Sequence, residues 1–317
     1  MSCWPRRRSV FFLLLATLAA TLKVAGQSGA DLDSDQDGLS DSVERQLLEQ
    51  FRPALMVSAS DCAAKPARFE DGISIPQVAA KDGTLYGEVS PHGKLLVEIH
   101  YFTLWEKDCG RVPHPLDAEH AAVLVSLENP EPRALYWYAG AHEKTACEIS
   151  SGARAKALDA EFRGARLWSS SGKHALFFRK TMCGHGCGAD FCGDSVELAQ
   201  SGPVENLGEA EALDARYAWV SSAAWRLRAK MNSDFSKDVI ARLDATSGDQ
   251  VTTLRGSSTI RGTIQGSDLV LGAADTGAQH TQSALDTANN HTSRSLSRAV
   301  DATERSIGRA WRAMFPK

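Results

Sequence analysis

V-E-I-H-Y-F-T-L-W-E-K-D-C-G-R-V-P-H-P-L-D-A-E-H, Val97 to His120, is the stretch on which the reading of the fold turns. It opens as a strand. Val97, Ile99, Tyr101 and Thr103 alternate with Glu98, His100, Phe102 and Leu104, and β-branched and aromatic types dominate. The run breaks at Asp108-Cys109-Gly110, a turn signal. His114, Asp117, Glu119 and His120 follow, four metal-ligating side chains in close succession, on what Pro113 and Pro115 make a tight turn and not a helix. The apolar run Ala121 to Leu127 reads as the next strand. A polar cluster between two apolar strands belongs at a sheet rim, where sites are commonly built.

Short apolar runs punctuated by Pro, Gly and polar residues extend in both directions: Ala54 to Ser58, Ile73 to Ile75, Thr84 to Val89, Ala134 to Ala139, Ala165 to Ser169 and His174 to Phe178. Such spacing predicts a mainly β protein with peripheral helices (α+β), its core a β-sandwich of short antiparallel strands, followed by a helical C-terminal region. Helices are expected at Val43 to Phe51, Ala153 to Phe162, Ala210 to Lys230 and around Val239 to Leu243. The stretch Gly248 to Gly272 is rich in Thr, Gly and Ser and reads as irregular. Gln279 to Met314 carries a sparse apolar stripe (Leu285, Leu296, Val300, Ile307, Trp311) at helical spacing. It is read as an amphipathic tail that docks on a partner helix or on its own domain, or makes a peripheral membrane contact.

The N-terminus reads as a processing segment. Arg6, Arg7 and Arg8 precede the apolar run Val10 to Leu22, with small residues at Ala25-Gly26. The expected organisation is a signal peptide over 1–26, a calcium-binding loop and helix over 27–56, a disulfide-bonded sandwich with a metal site over 57–203, a helical extension over 204–247 and a low-complexity tail over 248–317. Removal of the signal takes four basic residues and no acid, so a formal charge of -4 becomes -8, which argues against nucleic acid as a partner. Six cysteines then remain, Cys62, Cys109, Cys147, Cys183, Cys187 and Cys192. An even number in a secreted or periplasmic chain reads as disulfides of undetermined pairing; zinc at Cys183, His185, Cys187 and Cys192 is the alternative.

D-S-D-Q-D-G-L-S-D-S-V-E, starting at Asp33, fits the calcium loop at every position. Asp33, Asp35 and Asp37 stand at one, three and five, Gly38 turns at six, Leu39 offers its carbonyl at seven, Asp41 sits at nine and Glu44 closes at twelve. Calcium takes hard oxygens at about 2.3–2.6 Å, and a tight acidic loop supplies them from one segment. The loop resembles those of EF-hands and dockerins; as a single copy it is expected to act as a structural clamp.

The second candidate centre comprises Asp108, His114, Asp117 and Glu119, with His142 and His174 as additional ligands; His100 is also a candidate. His142 follows the Tyr136-Trp137-Tyr138 run and His174 sits in S-G-K-H-A-L-F-F, so several strand ends carry a histidine. His92, His280 and His291 are read as ordinary polar residues. Mixed imidazole and carboxylate donors favour a divalent cation such as zinc or manganese, with magnesium and calcium also compatible. A hydrogen-bonded polar network at the sandwich end would account for the same residues.

His114-Pro115-Leu116-Asp117-Ala118-Glu119 has the His-x-x-Asp-x-Glu spacing of Gly-His-Arg-His-Asp-Trp-Glu, the heptapeptide of the necrosis- and ethylene-inducing-like proteins. Lys107-Asp108, Ala141-His142 and Gly172-Lys173-His174-Ala175 are similar to further motifs of that family, and vacuolar-sorting homologues carry related ones. The resemblance spans about Val97 to Phe178. Pro113, Leu116 and Ala118 stand where the heptapeptide has Gly, the second His and Trp. The resemblance implies a secreted β-sandwich cytolysin fold, a divalent-metal site at Asp108, His114, Asp117 and Glu119, and binding of sphingolipid head groups.

Three functions compete. One is an exported metal-binding sandwich that binds a surface glycan or lipid head group. Another is a secreted metal-dependent hydrolase with Glu119, His120 or His142 as general base. The third is an envelope interaction protein acting through the tail. Neither H-E-x-x-H nor G-x-S-x-G occurs, which lowers the standing of zinc peptidases and serine hydrolases.

Overall fold

A computed structural model describes residues 32–110, 112–143, 145, 147–184, 190–198, 202–208, 216–220, 222, 235–246, 248 and 250–256. The signal segment, Cys187, His185, most of the helix expected over 210–230 and the amphipathic tail lie outside the described residues. The elements in chain order are α1 (Asp41–Gln50), β1 (Ala54–Ser58), β2 (Arg68–Phe69), β3 (Val78–Ala80), β4 (Leu85–Pro91), β5 (Leu96–Asp108), β6 (His114–Ser126), β7 (Arg133–Ala139), β8 (Ile149–Arg154), β9 (Arg166–Ser169), β10 (Leu176–Phe177), α2 (Lys180–Cys183), β11 (Ser195–Glu197), β12 (Val204–Asn206), α3 (Lys237–Asp244) and β13 (Val251–Gly256).

A seven-stranded sheet, ordered β12-β4-β5-β6-β7-β8-β13, faces a four-stranded sheet ordered β10-β9-β1-β11 across a shared core; β2 and β3 form a separate ribbon. The core takes Leu55 and Val57 from β1, Leu167 from β9, Ile99, Tyr101 and Trp105 from β5, and Val123, Trp137 and Ala139 from β6 and β7. Helix α1 is capped by Ser40, whose hydroxyl accepts the Val43 N–H. It presses Leu47, Leu48 and Phe51 into this core, and the Tyr101 hydroxyl donates to the Leu48 carbonyl at 2.9 Å. Each fully buried Leu or Phe contributes roughly 1.5–3 kcal/mol.

The pleat sends the even-numbered residues of β5 and β6 to the other face of the larger sheet. There Phe102, Leu104 and Ala118 meet Tyr86, Tyr217 and Trp219, while Ala122 and Leu124 meet Tyr138, Phe235 and Leu243. Of the helix expected over 210–230, the described part from Tyr217 to Val220 is a turn, and its aromatic rings supply this outer cover.

The mainly β reading holds, with several departures. Two strand pairs, β1 with β9 and β12 with β4, run parallel, since long connections return the chain in the same direction. No helix spans Ala153 to Phe162: β8 runs to Arg154, and one 3-10 turn, Ala155–Leu158, ends at Asp159 in the left-handed region. Buried Ala153 and Ala155 belong to the sheet core, which overrides their helix propensity. Within the segment read as irregular, β-branched Val251, Thr252 and Thr253 form β13 against β8. Ile73 to Ile75 is not a strand, and Ile75 is exposed.

Cys62 is bonded to Cys109 and Cys183 to Cys192. The second bond consumes two of the four proposed zinc ligands, so the zinc alternative fails there. Cys147 is disulfide-bonded as well. Closing the Cys62–Cys109 loop, 47 residues apart, stabilises the fold by about 4 kcal/mol in the chain-entropy picture.

Gly164 marks the tightest joint. A Cβ there would lie 1.6 Å from the Arg52 carbonyl oxygen, a backbone atom that cannot swing away. Gly164→Ala is expected to lower stability by about 3 kcal/mol, as overpacking does; an unchanged urea midpoint would show that this junction yields.

Candidate metal centre at the sheet rim

β5 and β6 pair without a slip over their whole length, from Leu96 opposite Ser126 to Asp108 opposite His114. The strand therefore begins at His114, not at Ala121, and the expected turn is confined to the residues before it. Trp105 stands opposite Asp117 and Thr103 opposite Glu119, so both acids face the sandwich interior. Strict alternation would send His114, three residues before Asp117, to the other side. Leu116, at φ +56°, breaks the alternation between them. As a result ligand atoms of Asp108, His114 and Asp117 all lie within 4.8 Å of one another. Asp117 is buried and the His114 side chain is 39% exposed, so the group opens to solvent at the imidazole.

The donors suit a divalent cation. Two carboxylates and an imidazole are gathered with few cations among them, and burial followed by the charge of Asp117 pushes the Asp108 carboxyl above its ordinary range. The His114 Nδ1 faces the Leu116 carbonyl at 2.9 Å, which assigns its proton there and leaves Nε2 as the nitrogen turned towards Asp108. Glu119 is buried two residues further along the same face but lies outside that three-residue group.

Around the group stand His174 and His142, expected as additional ligands, and with them Asp61, Asp190 and Lys173, which spacing does not disclose. His174 lies flat on Trp105, ring centroids 4.0 Å apart. Its Nδ1 is 3.0 Å from Asp117 Oδ2, and its Nε2 is 3.3 Å from Asp61 Oδ1. Burial lowers the affinity of this imidazole for its proton, but Asp117 and Asp61 outweigh it and raise the pKa to about 9. Burial also opposes ionisation of Asp61, and His174 with the N–H groups of Ala63 and Gly172 reverses that, leaving its carboxyl below the ordinary range. His142 Nε2 contacts Asp190 Oδ2 at 2.7 Å, and Lys173 Nζ contacts the other oxygen at 3.2 Å. Among the described residues, Leu116, His142 and His174 are three of the five non-glycine residues with positive φ, and such strain clusters at functional sites.

His100 and His120 are held apart from this group. Both point to the outer face, where a buried chain links Glu98, His100, His120, Glu143, Tyr138 and Ser150. The two imidazoles meet at 2.9 Å. Each ring nitrogen of the two is thus engaged, by Glu98, by the other imidazole or by Glu143. His120 is thus removed as a general base at the rim. For these two histidines the polar-network reading is the one that applies.

In the acidic loop, ligand atoms of Asp33, Asp35 and Asp37 come within 4.8 Å of one another. Gly38, at φ +100°, donates its N–H to Asp33 Oδ2, and Leu39 donates to Asp37 Oδ1. Burial, with the charges of Asp37 and Asp33, pushes the Asp35 carboxyl up. Asp33 Oδ1 is buried without a hydrogen-bond partner among the described residues. Asp41 accepts from the backbone and hydroxyl of Ser34, and Glu44 accepts from Asn206; the group of three includes neither.

No family model and no curated protein matches the chain. Solved structures similar to it include NLPPya in complex with glucosamine (17% identity, TM-score 0.39, 63% of this chain and 89% of that one) and NLPPya in complex with mannosamine (16%, 0.37, 63% and 89%). Necrosis and Ethylene inducing Protein 2 from the causal agent of cocoa's Witches Broom disease is another (16% identity, TM-score 0.37, 68% of this chain and 96% of that one). At these values the likeness carries neither ligand nor function to this chain. No helix among the described residues is long and apolar enough to cross a membrane.

The His174 ion pairs have a pH signature. Its folded pKa of about 9 lies above the unfolded value, so their stability is complete below about pH 6.5 and lost as pH rises through 9. With a chelator present, the denaturation midpoint is expected to fall across that window and to flatten in His174→Gln. A slope that persists in the variant would assign the effect to other groups.

Proposed function

We propose that the chain is an exported metal-binding protein whose rim centre holds one divalent cation through Asp108, His114 and Asp117, with Glu119 beside them. The reading is carried by the convergence of these three side chains within 4.8 Å. A cation held by few protein donors keeps open positions, and the exposed side at His114 admits a ligand. Vicinal hydroxyls of a surface glycan, or of a sugar-bearing lipid head group, would fill them. Disulfides among the described cysteines suit an oxidising compartment and so support export.

Asp117→Asn keeps the shape of the side chain and removes one charge. It is expected to lower manganese or zinc affinity ten- to a hundredfold while the far-ultraviolet dichroism stays unchanged, and binding to an immobilised glycan array should fall in parallel. Full metal content in Asp117→Asn would place the site elsewhere. Glycan binding retained without metal would make the cluster a structural network.

The acidic loop supports a second cation. Three carboxylates drawn together, one with a buried unpartnered oxygen, suit calcium, and the loop leads straight into α1, which packs in the core. Calcium at a hundred times its dissociation constant should therefore stabilise the protein by about 2.7 kcal/mol. Asp37→Ala should melt as the calcium-free protein does, with or without the ion. Identical melting of the parent chain in calcium and in chelator would refute the clamp.

A further inference from the structure

His174 has no nitrogen to offer a cation, because Asp117 engages one and Asp61 the other. Its ring is enclosed, lies on Trp105 and hangs from a backbone at φ +58°, so it cannot turn without breaking both contacts. Asp61 is fixed just as fully. Its side chain is wholly enclosed, Oδ1 accepts the Ala63 N–H at 3.1 Å and Oδ2 accepts the Gly172 N–H at 2.8 Å. Asp61 also precedes Cys62, whose disulfide partner Cys109 follows Asp108. The Cys109 N–H in turn donates to the Gly172 carbonyl at 2.6 Å. Asp108 and Asp117 are therefore braced by a single assembly that starts at Asp61.

From this geometry we infer that Asp61 and His174 are positioning residues of the rim metal centre, aiming the Asp117 carboxylate, and that His174 is not a ligand. The inference rests on the metal reading given above. A carboxylate whose orientation is fixed by a hydrogen-bonded imidazole loses less freedom when a cation arrives, and that imidazole is fixed in turn by Asp61. Neither residue changes the number or kind of atoms that touch the cation.

Cobalt(II) distinguishes a positioning residue from a ligand, since its visible absorption reports the donor set. Full-length mature protein is titrated with cobalt(II) as parent, Asp61→Asn, His174→Gln and Asp117→Asn, each checked for folding by circular dichroism. Asp61→Asn and His174→Gln are expected to bind ten- to a hundredfold more weakly, yet to reach the parent's spectrum at saturation. Asp117→Asn should alter the spectrum itself. Combining Asp61→Asn with His174→Gln should cost less affinity than the two single losses added together, because both act on the Asp117 carboxylate. Should Asp61→Asn not fold, Asp61→Glu takes its place and is expected to weaken binding less than His174→Gln does. An altered saturated spectrum in His174→Gln would make it a ligand and overturn the inference. So would unchanged affinity in a folded Asp61 variant. A parent chain that takes up no cobalt overturns the metal reading itself, and this inference with it.

Discussion

The single register that pairs β5 with β6 is the constraint on which the rest depends. One register holds from Leu96 opposite Ser126 to Trp105 opposite Asp117 and resumes beyond Leu116, so side-chain parity is fixed from the middle of the sheet up to Asp117. A slip of β6 by one residue would turn that strand over: Asp117 and Glu119 would leave the sandwich interior and His120 would enter it. The register thus separates two kinds of buried polar chemistry that lie only a few residues apart in the chain. On the outer face an imidazole pair is closed off between carboxylates. On the inner face the acids converge towards solvent.

That separation is resolved at the rim by a local irregularity. Leu116 gives up the extended conformation, and only then do His114 and Asp117 meet Asp108. The cost of the strained backbone is offset by packing, since Leu116 contributes to the aromatic cluster on the outer face. The same trade recurs at His142 and His174, each held at positive φ by hydrogen-bonded neighbours.

Much of this was legible in the residues. Short apolar runs mark β1 to the residue and place β4, β7 and β9, and alternation places β5, because each strand carries its pattern locally. Asp108, His114, Asp117 and Glu119 could be named together because a hairpin brings near what is near in sequence. Parity also separates His120 from Glu119: one residue apart on a strand, the two face opposite ways. Asp61 was out of reach. It lies 113 positions from His174, and nothing around Cys62 signals that two distant carboxylates share one imidazole. Asp190 and Lys173 escaped for the same reason. The parallel pairs were missed because strand direction is set by where long connections run, which no local pattern encodes.

The Cys62–Cys109 bond has a consequence for biogenesis. Its two sulfurs adjoin Asp61 and Asp108, so the bond stitches together the support and the mouth of the rim centre. A newly made chain in a reducing environment carries every one of these side chains but not the covalent tie between their loops. Oxidation then does two things in one step: it secures the sandwich and ties the loop of Asp61 to the loop of Asp108. Maturation of the rim is in that way tied to the place in the cell where thiols are first allowed to pair.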